Sequence, residues 1–245
     1  MTAVAPSFPA IPRYNEGMDE RPSTPQLLKQ LQAIPLFAGL DEATCADLAA
    51  AVVWRTYEAG ETVFWEGDPA AGLYFLQSGW LKVVKSVPSG REQVIKFLGP
   101  GETFNEIGAL GNQPNPATAV ALEPTAVWVI GRDVLVALLR ERPSFAQHIV
   151  ERLAERVNHL VGLVADLSLR SVTERLARLL LEDTTDDVLH RPRWYTQSEL
   201  AARLGTVPDV IQRALRTLES EGLIEVQRHH IRVLDRPALQ KIALP

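Results

Sequence analysis

Three changes of rhythm divide the chain. From residue 26 apolar positions recur at helical spacing: Leu27, Leu28, Leu31 and Ile34, then a turn through Pro35 and Gly39. Asp41 is placed to cap a second helix that runs through Leu48 to Val53. From Trp54 the period shortens. The β-rich runs ETVFWEG, GLYFLQSG, WLKVVKSV, EQVIKFLG, ATAVALE and AVWVIGR are punctuated by Gly60, Gly67, Gly79, Gly90, Gly99, Gly101, Asn112 and Pro124. Turn signals at intervals of roughly 8–12 residues predict an antiparallel barrel or sandwich, not a parallel α/β sheet. After Asp133 the helical period returns. Val134, Leu135, Leu138 and Leu139 form a short amphipathic helix. Ala146, Val150, Leu153, Val157, Leu160, Val164 and Leu167 then follow one another by alternating steps of four and three. With Glu151, Arg152, Glu155 and Arg156 beside it, this narrow stripe suits a two-stranded coiled coil. The other reading is a helix packed on its own barrel, which usually shows a wider apolar face. A further helix, Val172–Leu181, ends in the acidic stretch EDTTDD.

The last region, TQSELAARLGTVPDVIQRALRTLESEGLI, carries the densest pattern. Thr196 is an N-cap, and Glu199 three residues later completes the spacing of a capping box. A helix from Gln197 to Leu204 stops at Gly205. Pro208 and Asp209 open a second helix that runs to about Ser220 and stops at Gly222. Leu200, Ala201, Leu204, Ile211, Leu215 and Leu218 face inward. Two short helices around a glycine turn predict a helix-turn-helix. GLIEVQ and HHIRVL, joined through Arg228 and His229, predict a two-stranded wing. On the second helix Pro208, Asp209, Gln212, Arg213 and Arg216 are candidates for the DNA-facing side. Arg suits guanine, Gln adenine and a carboxylate the cytosine amino group. Arg203, Arg228, His229 and Arg232 are candidate phosphate contacts, which position without reading sequence, and Thr196 is a further candidate DNA-binding residue.

Composition sharpens this picture. Residues 1–25 hold five prolines and few large apolar residues, which predicts a disordered arm. At 46% hydrophobic and 22% charged residues the chain reads as a soluble globular protein of two domains. It has neither a membrane-length apolar run nor a secretory signal, so a cytoplasmic location is expected. The net charge of −5 is unevenly spread: residues 191–245 carry 9 Lys/Arg against 6 Asp/Glu, a basic piece on an acidic body. Cys45 is the only cysteine, so an iron–sulfur cluster or zinc ribbon is not expected, and its setting suggests a buried apolar residue. No histidine precedes His148, which leaves the barrel without a metal-dependent enzyme's ligands. No nucleophile motif is present, and an enzyme is not expected.

Taken together, IPLFAGLDEATCADL, AGETVFWEGDPAAGLYFLQSGWLKV, LGPGETFNEIGAL, PNPATAVALEPTAVWVI and the helix-turn-helix resemble the cyclic-AMP receptor protein / fumarate-nitrate regulator (Crp/Fnr) family of bacterial transcription factors. The resemblance covers roughly residues 30–240. It implies an α+β fold: an N-terminal antiparallel β-roll or jelly-roll sensor over residues 26–142, a dimerisation helix over 143–169, and a winged helix-turn-helix over 170–245. It further implies a homodimer on palindromic double-stranded DNA, with RNA polymerase as a further partner and no membrane association. The expected dimer seam is Val150, Leu153, Val157, Leu160, Val164 and Leu167.

Departures from the family pattern bear on the effector. Cyclic-AMP-binding relatives hold the cyclic phosphate with a Gly-Glu pair and a later Arg-Ser pair; these fall here on Asn105-Glu106 and Asn115-Pro116. A phosphate in a semi-closed barrel needs a cation, and Arg is its bidentate partner. The hydroxyl residues that read adenine fall near Leu160 and Val161. Asn105, Glu106, Ile107, Asn115, Pro116, Ala117 and Leu160 are therefore candidate effector residues for something other than cyclic AMP in the usual mode. A haem-based sensor of nitric oxide or carbon monoxide would have to use His148 or His159. An unidentified small molecule in the barrel, or no effector at all, are the remaining alternatives. On the recognition helix the family's base-reading positions fall on Pro208, Asp209 and Arg213, so a related palindrome with altered edges is expected.

Overall fold

The computed structural model describes residues 21–37 and 39–243, and these form two compact units. One is built from residues 21–85 and 95–160, the other from residues 86–94 and 161–243. The predicted arm lies mostly outside the described residues. Its last two positions do not belong to it: the Ser23 amide donates to Gln26 Oε1 (2.8 Å) and opens helix α1, Thr24–Ala33.

In the first unit, α1 is followed by a 3-10 turn (Pro35–Phe37) and α2 (Glu42–Ala51). Asp41 caps α2 as expected, accepting from the Thr44 amide at 2.8 Å. Eight strands follow in antiparallel pairs: β1 (Val53–Tyr57), β2 (Thr62–Phe64), β3 (Gly72–Ser78), β4 (Leu81–Ser86), β5 (Glu92–Leu98), β6 (Thr103–Phe104), β7 (Thr118–Ala121) and β8 (Thr125–Gly131). A short helix, α3 (Glu106–Gly111), interrupts them, and α4 (Arg132–Glu141) and α5 (Pro143–Leu169) close the run, with residues 92–94 of β5 and 161–169 of α5 counted in the second unit. The strands make two four-stranded sheets, ordered β1-β8-β3-β6 and β2-β7-β4-β5. This is the expected antiparallel roll.

Strand alternation separates two cores. On β3, Tyr74 and Leu76 point between the sheets to join Val63, Leu81, Leu98, Phe104 and Val127. Leu73 and Phe75 point the other way, beneath Leu27, Leu31, Leu48, Leu135 and Phe145 of the helices. A strand buried on both faces needs apolar residues at consecutive positions, which is why GLYFL reads as one run. Gly79 sits at φ +83°, and a Cβ there would lie 2.5 Å from the Pro124 carbonyl oxygen, so the turn between β3 and β4 accepts no side chain.

The second unit contains α6 (Val172–Asp183), β9 (Val188–His190), α7 (Gln197–Arg203), α8 (Pro208–Ser220), β10 (Ile224–Val226), β11 (His230–Val233) and α9 (Arg236–Ala243). The two predicted wing strands pair with register Ile224↔Val233, and the sheet gains an unforeseen third member, ordered β10-β11-β9. The Thr196 cap is real, since its hydroxyl accepts from the Glu199 amide at 3.2 Å. The reciprocal half of the capping box is not needed: the Thr196 amide donates to the Trp194 carbonyl at 2.9 Å.

Candidate nucleic-acid interface and barrel site

Helix α8 buries Ile211, Ala214, Leu215 and Leu218 and exposes Pro208, Asp209, Gln212, Arg213 and Arg216. Spacing of three and four puts the polar set on one face. Gly205, at φ +65°, supplies the left-handed turn before it. A Cβ there would also approach Leu167 Cδ2 to 2.5 Å and Gln93 Oε1 to 2.6 Å. The wing turn is closed by the Gln227 amide donating to the His230 carbonyl at 2.9 Å, which leaves Arg228 and His229 exposed at its tip; Arg232 is exposed on β11. Between the wing, the β9–α7 connection and the first residue of α8 runs a groove of about 770 Å³. Its lining includes Arg191, Arg193, Thr196, Pro208, Arg228 and His229, and among the described residues it contains no carboxylate. Arg191 and Arg193 escaped the sequence reading because they precede the motif.

Arg203 corrects the expectation placed on it. Its guanidinium donates to the Asp183 carboxylate and to the Tyr195 hydroxyl (3.0 Å), and Asp183 is buried. Burial works to lower the Arg203 pKa, but Tyr195 and Asp183 outweigh it and hold the pKa above its usual value. Arg203 therefore ties α7 to α6 instead of pointing to a phosphate. The partner lies twenty residues earlier, beyond the reach of local pattern.

In the roll, the candidate effector residues are turned on one another. Asn105 adopts φ +69°, and its Nδ2 donates both to the Gly72 carbonyl (3.1 Å) and to Asn115 Oδ1 (3.0 Å). Asn115, buried, donates in turn to the Trp65 carbonyl (3.1 Å), and its backbone pairs with Gly67 and Asp68. Glu106 is buried too; it accepts from the Thr103 hydroxyl (2.9 Å) and lies 3.7 Å from Arg156 of α5. The Pro116 carbonyl accepts from Lys85, whose ammonium also pairs with Glu66 at 2.5 Å. Ile107 is half exposed, whereas Ala117 is buried. Inside the roll Phe64, Tyr74 and Phe104 form an aromatic cluster with ring centroids 5.0–6.0 Å apart. Burial there pushes the Tyr74 hydroxyl up to about 12.

Comparison with known proteins decides what this arrangement is. The Cyclic nucleotide-binding domain profile matches residues 54–142, and the Crp-like helix-turn-helix domain profile matches residues 174–242. The chain is 31% identical over 216 residues to the Cyclic AMP receptor protein of Thermus thermophilus, spanning 87% of this chain and 98% of that protein. The chain belongs to the Crp/Fnr family of transcriptional regulators. It is also 26% identical to the CRP-like cAMP-activated global transcriptional regulator of Mycobacterium tuberculosis, over 85% of this chain and 96% of the relative. The structure of FixK2 from Bradyrhizobium japonicum shares the fold, with a TM-score of 0.70 at 21% identity, covering 79% of this chain and 98% of that one. Members of this family are DNA-binding regulators and not enzymes.

Within this Crp/Fnr chain, α5 carries a more specific stripe than the heptad count implied. Val150, Val157, Val161 and Val164 are each 58–65% exposed, and Ala154 is exposed between them. Leu160 and Leu167 are only 38% and 36% exposed, and Leu153 packs against the core of the roll. The exposed row is thus Val150, Ala154, Val157, Val161 and Val164. The expected row, through Leu153, Leu160 and Leu167, runs along one of its edges, because the roll already covers Leu153. Of the two readings of this helix, packing on its own roll holds at Leu153. Neither central histidine stands in a metal cluster: among the described residues no three His, Cys, Asp or Glu side chains converge, and the His159 ring contacts the Ile95 carbonyl at 3.0 Å. Cys45 is buried. No described helix is long and apolar enough to cross a membrane.

Proposed function

We propose that this regulator acts as a homodimer on a palindromic DNA site and that cyclic AMP in the usual mode is not its signal. The face of α8 carries the reading. Asp209, Gln212, Arg213 and Arg216 stand exposed together on a helix whose other side is buried, and such side chains discriminate base edges. The exposed Val150–Val164 row supports pairing of two α5 helices. Such pairing sets two helix-turn-helix units against half-sites about 34 Å apart. A molecule that favours one pairing of α5 over another shifts the population competent for DNA, and RNA polymerase is the partner that the bound dimer engages.

Two relatives are named for cyclic AMP. In this chain the position expected to hold the phosphate is Asn115, buried and hydrogen-bonded to Asn105 and Trp65, with no guanidinium in its side chain. A small molecule of another class acting through the roll is the leading reading of the effector. A second reading, binding without any effector, is favoured by the same hydrogen-bonded pair, whose amide groups are already engaged by the protein.

Selection of the purified protein against a random double-stranded DNA library without ligand is the direct test. A two-fold palindrome is the expected product. Enrichment only when cyclic AMP is added would overturn the effector reading. No enrichment under either condition would count against sequence-specific binding by the purified protein.

A further inference from the structure

We propose that His190 and His230 form a two-nitrogen chelate for a borderline divalent cation of the zinc class, on the outer face of the β10-β11-β9 sheet. This assigns a ligand to a part of the second unit that neither the DNA reading nor the effector reading uses.

Register is the first argument. His190 of β9 stands directly opposite His230 of β11. Leu189 and Ile231, the neighbouring pair, are buried, so strand alternation turns both imidazoles to the outer face. The Arg191 amide donates to the His229 carbonyl at 2.7 Å, which makes the two histidines a pair with no hydrogen bonds between them. Side chains come closest at such pairs, with Cβ atoms about 4.5–5.5 Å apart. Two imidazoles at that spacing can share one ion, which each ring nitrogen binds at about 2 Å.

The second argument is an unmet nitrogen. His230 Nε2 is buried, and among the described residues it has no hydrogen-bond partner. On its other side stands Gln227, whose backbone amide donates to the His230 carbonyl and whose side-chain amide donates to Glu225 Oε1 at 2.9 Å. The donor that Gln227 offers is therefore already engaged. A buried ring nitrogen without a partner costs free energy, and coordination to an ion satisfies it. His190 is exposed, which leaves the pair open to ions from solvent.

Charge selects the ion. Arg191 follows His190 in the chain, Arg232 lies two residues beyond His230 on the same face, and Glu225 opposite Arg232 supplies a carboxylate there. A hard ion such as Mg2+ or Ca2+ takes several oxygen ligands, and cationic neighbours repel it. Neutral imidazole suits zinc, copper and nickel, whose affinity here rests on coordination and not on net charge. Among the described residues no group of three His, Cys, Asp or Glu forms, so water completes the shell and the ion stays exchangeable. An ion held this way fastens β9, the strand that follows α6, to β11 of the wing.

The test uses the untagged full chain, stripped of metal with EDTA and dialysed. Zn2+ and Mg2+ are titrated by calorimetry, and Cu2+ serves as the probe for electron paramagnetic resonance. Wild type is expected to bind one Zn2+ per chain, to take up no Mg2+, and to show Cu2+ coupled to two imidazole nitrogens. His190→Gln and His230→Gln are compared with His159→Gln. Either of the first two is expected to weaken Zn2+ binding by about tenfold or more, the scale on which changes around a metal act, and to leave Cu2+ coupled to one nitrogen. His159→Gln is expected to change neither. Zn2+ at about tenfold excess over its Kd should raise the thermal midpoint of wild type by about 5 °C, and that of His190→Gln by much less. His190 is exposed, so His190→Gln keeps the metal-free midpoint and separates loss of the ion from loss of the fold. No Zn2+ binding by wild type, or equal uptake of Mg2+, would overturn the proposal. So would undiminished binding by His190→Gln, which places the ion on another histidine, or a loss confined to one member of the pair, which reduces the chelate to a single contact.

Discussion

The Asn105–Asn115 corner of the roll and the groove beside α8 are both rich in hydrogen-bonding side chains, and they differ in what those side chains face. In the corner, both protons of Asn105 Nδ2 and both polar ends of Asn115 are taken by protein groups. In the groove, Arg193, Arg228 and His229 face solvent, and among the described residues the Arg191 guanidinium donates only to the neutral Tyr195 carbonyl. A polar group that its own protein satisfies contributes rigidity, and a ligand must break that bond before it gains anything. A cation left to water keeps its interaction for a partner. In the corner a ligand must displace bonds the protein already makes, whereas in the groove the exposed cations have only water to give up.

Five substitutions and one ligand test that contrast. The largest effect is expected where an arginine has already been compensated. Asp183→Ala leaves Arg203 beside Tyr195 without its carboxylate and should cost about 3 kcal/mol in urea unfolding, below the upper range for buried pairs because part of the Arg203 side chain reaches solvent. If the loss is under ~1 kcal/mol, the ion pair is not what holds α7. Asn105→Ala removes two hydrogen bonds from buried acceptors and leaves at φ +69° a residue that tolerates the left-handed region less well than asparagine, for about 2 kcal/mol. Asn105→Gly loses the same two bonds but accepts the left-handed backbone, so it should cost less than Asn105→Ala. Val161→Lys on the exposed row should weaken self-association by about 1–2 kcal/mol in sedimentation equilibrium. Leu153→Ala should instead lower the stability of the roll and leave self-association close to wild type. The smallest effect is expected from cyclic AMP itself. Added to wild type, it should leave both the melting temperature and the affinity for the selected duplex unchanged. A clear rise in either would show that the corner opens for a phosphate after all.

Much of the architecture is written in local pattern. The Asp41 cap, the alternation that turns Tyr74 and Leu73 to opposite cores, and the two helices around Gly205 follow from spacing and residue type, because caps, strand alternation and glycine turns act within a few residues. The period of α5 was equally legible, but its phase was not. A heptad count places an apolar stripe on the helix, and only packing against the roll assigns Leu153 to the core and Val161 to the surface. Arg203 makes the same point more sharply. As a residue it is an ordinary basic position in a DNA-binding motif, and the buried carboxylate that claims it comes from another helix. Arg191 and Arg193 gain their place by the opposite route. They lie outside the motif, and the pairing of β9 with β11 brings them opposite the wing. The sequence by itself determined the fold class and the helix-turn-helix, both of which depend on residue type and short-range order. Tertiary structure decided which polar groups are already satisfied and which still face outward, because partners separated by tens of residues meet only once the chain has folded.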